Sequence, residues 1–191
     1  MRISFAVVIA AALMLSTTAS TASAKTVGIP PVQFVRASLS KGAVSGVVGG
    51  RTLTLATDGL SAGSYDDPFD VPDRGAIAYV SGSWTSTWTP VAFPFDELVA
   101  SWNAATPAGT WIRTEMQARG SGRDTKWYTM GIWASGDADI HRTSVGGQGD
   151  TDGFVAIDTF IRSTKAPALD FYRLRVTLYR ASGSGTPTVR M

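Results

Sequence analysis

Residues 93–119 read FPFDELVASWNAATPAGTWIRTEMQAR, from Phe93 to Arg119. Two β-type runs flank a connector rich in Asn, Pro and Gly, the signal of a hairpin with a longer loop. The second run alternates. Ile112, Thr114, Met116 and Ala118 fall on one side, and Trp111, Arg113, Glu115, Gln117 and Arg119 on the other. A period of two predicts a strand with one face in a core and one near water. Read as a helix, the same residues would scatter around the axis.

The rest of the chain repeats this pattern. Arg51 to Thr57 alternates with Leu53 and Leu55 inward, and Ala76 to Val80 is a short apolar strand. Trp127 to Trp133 alternates Tyr128, Met130 and Ile132 against Trp127, Thr129, Gly131 and Trp133. Phe154 to Ile161 reads as one strand. In Phe171 to Arg180, Tyr172, Leu174, Val176 and Leu178 oppose Arg173, Arg175, Thr177 and Tyr179. Asp58 to Arg74 reads as a long loop or edge excursion and Ala134 to Gly153 as a long polar loop, and 34–50 has no clear period. No segment carries a capped 3.6 period. Six to nine strands with polar loops predict an all-β, two-sheet antiparallel sandwich, jelly-roll or galactose-binding-like.

The 191 residues, 44% hydrophobic and 17% charged, suit one domain with a real core. A net charge of +2 gives no reason to expect nucleic acid as a partner. There is no cysteine, so disulfides, thiolate nucleophiles and Cys-based zinc sites are excluded. At the N-terminus, Arg2 precedes the apolar run Phe5 to Leu15, and Ala22-Ser23-Ala24 is a small-residue cleavage site. This predicts a secretory signal peptide over 1–24 and an extracellular location. The run is shorter than the ~18 residues a spanning helix needs, and no second candidate span follows. An extended lead-in with Pro30-Pro31 covers 25–33, and the sandwich domain covers 34–191.

Three constellations could carry chemistry. Gly59-Leu60-Ser61-Ala62-Gly63 matches the GxSxG of a hydrolase elbow, and His141 would complete a Ser…Asp…His order. However, Ser64-Tyr65-Asp66-Asp67-Pro68 will not start a useful helix, so an ordinary Gly/Ser turn is the better reading. Asp137, Asp139, Asp150 and Asp152 alternate near glycines and could offer oxygen ligands to Ca2+. One His without Cys makes a poor zinc set. The plainer readings are turn-forming aspartates and an ion pair of Arg142 with Asp150 or Asp152. His141 and Arg142, in the same loop, join the candidate ligand-binding residues.

The third constellation is aromatic and charged. Trp111, Arg113 and Glu115 share a strand face, which Trp133, Arg173 and Arg175 join if their strands lie in the same sheet. Trp84 and Trp88, if extended, face the same way about 13 Å apart at ~3.3 Å per residue. Exposed indoles stack on sugars or clamp peptides, and flanking Arg and Glu orient the ligand. The alternative is that a central strand is buried on both faces and these tryptophans are core.

The runs FPFDELVASWNAATPAGTWIRTEMQAR, TKWYTMGIWASGDADIHRTSVGGQGDTDG, FYRLRVTLYR and TPTVRM together resemble one family. It is the N-terminal β-sandwich region of secreted bacterial bacteriocin-processing-peptidase-like, papain-like cysteine peptidases. The resemblance covers the chain from about Phe34 onward. It implies a catalytic domain following the sandwich, expected beyond Met191. With no cysteine, the implied peptidase activity has no nucleophile here, and no catalytic residue carries over. What the resemblance leaves is a non-catalytic accessory module. Its expected partners are cell-wall glycan or peptide and a separate catalytic domain.

Overall fold

A computed structural model describes residues 30–69 and 75–190. Its contacts divide the chain into Met1–Val32 and Gln33–Met191, and the fold described is that of the second unit. The expected signal peptide over 1–24 and most of the lead-in lie outside the described residues. No helix among the described residues is long and apolar enough to cross a membrane.

Among the described residues fifteen strands follow in chain order: β1 Ala43–Ser45, β2 Val47–Val48, β3 Leu53–Leu55, β4 Ser61–Tyr65, β5 Ile77–Thr85, β6 Thr89–Phe95, β7 Glu97–Val99 and β8 Asn103–Ala105, then β9 Thr110–Gly120, β10 Arg123–Asp124, β11 Tyr128–Trp133, β12 Gly153–Ala156, β13 Thr159–Arg162, β14 Leu169–Ala181 and β15 Thr188–Arg190. The protein is all-β, as expected. The large sheet is ordered β1-β5-β14-β9-β10, with β4 also on β5, β6 on β14 and β11 on β9. Two smaller sheets, β12-β13-β7 and β2-β3-β15-β8, complete the fold. The named pairings are all antiparallel.

One core joins the three sheets. Trp84, Ile112, Met116, Leu174, Val176 and Leu178 from the large sheet meet Val47, Leu53, Leu55 and Val189 from one small sheet and Phe160 from the other. The large sheet is one layer of the sandwich and the small sheets are the other. Each of these side chains gains about 1.5–3 kcal/mol on leaving water. The inward sets read in β9 and β14 are those that enter this core.

Several expectations are corrected. The runs around 93–119 do not form a hairpin. β9 pairs with β14, β10 and β11, while β6 pairs with β14, β7 with β13 and β8 with β15. Of the loop or edge excursion expected at 58–74, residues Ser61–Tyr65 form the edge strand β4 on β5. The strand expected at 76–80 extends to Thr85 and ends there, before β6 begins at Thr89, so Trp84 and Trp88 are not on one strand. Phe154 to Ile161 is two strands joined through Ile157, whose φ of 59° reverses the chain. That conformation is unusual for a β-branched residue.

The correction in β11 has a local cause. The register against β9 shifts between Thr129 and Gly131, so one extra residue, Met130, sits in the ladder. A bulge of this kind exchanges the faces beyond it. Ile132 therefore packs on the outer side of the large sheet and Trp133 against the main core, the reverse of simple alternation.

Candidate functional site

Among the described residues no third layer of strands covers the outer face of the large sheet. Its rows follow from the register. Ser81, Tyr179 and Trp111 form one row, and Ser83, Thr177 and Arg113 the next. Thr85, Arg175 and Glu115 follow, and then Arg173 and Gln117. The rows divide the face into three zones.

At one end is a small aromatic core. Trp111 and Tyr179 stack at 5.0 Å with only 2° between their planes, and Tyr79 meets both edge-on. Ile140, from the 134–152 loop, and Ala134 pack onto it. Trp111 is 1% exposed. The reading of Trp111 as an open stacking platform is thus corrected: it faces outward, but the loop and neighbouring rings cover it. Trp84 is corrected too. It points into the main core, and its Nε1 donates to the Lys41 carbonyl at 2.8 Å. Burial pushes the Tyr65 hydroxyl beside Trp111 up to about 12.

At the other end, cations and indoles alternate. The Arg119 and Arg173 guanidinium carbons lie 4.1 and 4.5 Å from the Trp88 ring centroid. Arg173 and Arg175 lie 5.1 and 4.3 Å from that of Trp127. Such contacts contribute roughly 0.5–1 kcal/mol each at exposed sites. Hydrogen bonds fix the ladder from below. Glu115, nearly buried, receives Arg175 Nε at 2.7 Å and Nη2 at 2.8 Å. Gln117 Oε1 accepts from Arg173 Nε at 2.8 Å, and its Nε2 donates to the Thr125 carbonyl at 2.6 Å. Arg119 pairs with Asp124 at 2.5 Å.

Between the two ends lies a shallow cleft of about 230 Å3, lined by Ser45, Ser61, Ser81, Ser83, Arg113 and Arg175 with Gly82 and Thr177. Serines leave a trough because their side chains are short. A second cleft, of about 470 Å3, opens by Ile77, Trp111, Asp139 and Ile140.

The remaining candidates sit elsewhere. Ser61 is in a strand at the edge of the large sheet, with no strand-to-helix turn, so the hydrolase elbow is corrected to an edge strand. Its expected partner His141 is held by another residue: Asp67 Oδ2 is 2.9 Å from His141 Nδ1 and accepts the His141 backbone N–H at 2.8 Å. Burial pushes the Asp67 carboxyl up, but the His141 and Phe69 amides and the His141 ring outweigh it. The net result holds Asp67 below the ordinary carboxylate range.

The four loop aspartates do not converge. Asp139 accepts from the Gly109 N–H at 2.7 Å. Asp137 faces Arg142 at 3.5 Å. Asp150 accepts from the Tyr128 hydroxyl at 2.6 Å, and Asp152 is bonded by Arg123, one contact at 3.0 Å. Among the described residues no group of three His, Asp or Glu is arranged to hold a metal ion. Burial and the Asp150 carboxylate push the Tyr128 hydroxyl upward. The expected pairing of Arg142 with Asp150 or Asp152 is corrected to Asp137. Arg142 also lies over the Trp133 ring, 5.3 Å from its centroid.

Sequence reasoning therefore brought Arg113, Glu115, Arg173 and Arg175 together correctly and placed Trp88 among the candidates. It missed Trp127 as a ladder rung and the serine trough. The spaced hydroxyls of Ser81 and Ser83, on either side of Gly82, were the available signal for the trough.

A family model described as Peptidase C39 N-terminal domain matches residues 33–191. No curated protein and no solved structure matches the chain. The match spans the whole compact unit that carries the outer face, and the chain belongs to the Peptidase C39 N-terminal domain family.

Proposed function

We propose that this protein is a secreted, non-catalytic recognition module that presents cell-wall peptide or glycan to a separate peptidase domain. The observation that carries the reading is the outer face of the large sheet. Family membership supplies the accessory role. The face offers a surface suited to it: four arginines on the long strands β9 and β14, two half-buried indoles over them and a row of hydroxyls on β1, β4 and β5. Sites built on strands hold their donors more steadily than sites on loops. The alternative of a hydrolase of its own loses support, because Ser61 and His141 sit in separate bonding environments.

The test is retention of the purified protein on insoluble cell-wall sacculi. The expected result is sedimentation with the sacculi, weakened in Trp127→Ala and Arg173→Ala, which thin the ladder. A wild-type protein that stays in the supernatant overturns the reading. Trp111→Ala and Trp84→Ala are unsuitable probes, since both residues are core.

A further inference from the structure

The trough beside the ladder has an unbalanced set of donors. Arg113 and Arg175 both approach Glu115, but the carboxylate is committed to Arg175, which binds it through both of its oxygens. Arg113 Nε stands 3.4 Å from Oε2 and makes no hydrogen bond there. That nitrogen is fully buried and, beyond this ion-pair contact, has no hydrogen-bond partner. A buried donor left unbonded costs free energy, and in native structures it is the exception that asks for a cause. The Arg113 side chain as a whole is 39% exposed, so the far edge of its guanidinium reaches the trough.

The register supplies the rest. Ser45, Ser83, Thr177 and Arg113 are neighbours in a single row across β1, β5, β14 and β9. Ser61 and Ser81 begin the adjacent row. The Ser45 and Ser83 hydroxyls have no side-chain partner among the described residues. Two guanidinium groups and one carboxylate leave the trough one positive charge in excess. The trough is thus a line of hydroxyl donors ending at a cation without a directed acceptor.

We propose that this trough is a carboxylate subsite that takes the terminal carboxyl group of a short peptide. A guanidinium edge matches a planar carboxylate through paired N–H donors, and serine hydroxyls can donate to the same oxygens. A neutral sugar fits less well. The ladder indoles it would stack on already carry guanidinium groups over their rings. The proposal rests on the reading of the outer face as a recognition surface and narrows its ligand to peptides with a free C-terminus.

The experiment titrates the purified protein with Ala-Ala as the free acid, with Ala-Ala carboxamide and with inorganic phosphate. Calorimetry and backbone amide NMR shifts are the readouts. The expected result is binding of the free acid with shifts at Ser45, Ser83 and Thr177, and at least tenfold weaker binding of the carboxamide. Arg113→Gln should weaken the free acid at least tenfold, and Arg113→Lys should restore only part of it, since it returns the charge without the fork. If Arg113→Gln does not fold, Ser83→Val serves instead, because it fills the trough with a strand-compatible side chain and leaves the charges in place. Equal binding of acid and carboxamide, phosphate binding as tight as the acid, or an unaffected Ser83→Val would each overturn the subsite. No binding of the free acid, with retention on sacculi intact, overturns the subsite alone and leaves the recognition module standing.

Discussion

β9 and β14 each carry two chemistries, one per face, and the two faces hold together by different physics. On the inner face Ile112, Met116, Leu174, Val176 and Leu178 are excluded from water by volume and shape. On the outer face the intervening residues Arg113, Glu115, Gln117, Arg173 and Arg175 are held by directed bonds and ring contacts. Inner contacts are short-ranged and indifferent to salt. Outer contacts are partly wet, and ionic strength screens them. The contrast shows how one pair of strands can be locked from one side and left adjustable from the other.

The largest effect that tests this contrast is on the inside. Ile112→Ala or Leu178→Ala, at fully buried positions, should cost about 2–5 kcal/mol in urea denaturation, with no dependence on added salt. A marked salt dependence would break the division between the faces. Next is Glu115→Ala, which strands Arg175 without its bidentate partner. The expected loss is about 2–3 kcal/mol, and it should shrink in high salt. Smaller still is Trp88→Ala, which removes two cation contacts and about 1–2 kcal/mol. A Trp88→Ala loss as large as that of Ile112→Ala would mean that the ladder is core rather than surface.

A pH titration sharpens the comparison further. Asp67 is held below its ordinary range in the folded state. Its contribution is therefore fully present above the unfolded value near ~4 and is lost as pH falls through the lower folded value. Thermal melts from neutral pH downward should show wild type losing stability in that acid window, with the slope reduced in Asp67→Asn. Ile112→Ala should leave the slope unchanged.

The sequence displayed the strands better than their partners. The alternations of β9 and β14 were plain because burial enforces a period of two over eleven and thirteen residues. Pairing was not legible, since β9 joins β14 from more than fifty residues away rather than the adjacent β8. Trp133 and Ile132 were placed on the wrong faces because a single bulged residue leaves no mark in composition. Trp111 was assigned the correct side of its strand, yet its cover comes from Ile140 in a polar loop whose path the sequence does not reveal. The four aspartates looked like a ligand set because spacing shows proximity along the chain. It does not show that Arg123 and Tyr128 had already engaged two of them.

β14 lies between β5 and β9, and β15 lies between β3 and β8. The last two described strands are thus the keystones of two layers. A nascent chain emerging N-terminus first holds β5 and β9 with nothing to join them, their open edges available to any passing strand. Assembly of these two sheets has to wait until β14 and β15 have been translated. A chain cut before Leu169 would lose the centre of both sheets, and the early strands would be left as a set of unmatched rims.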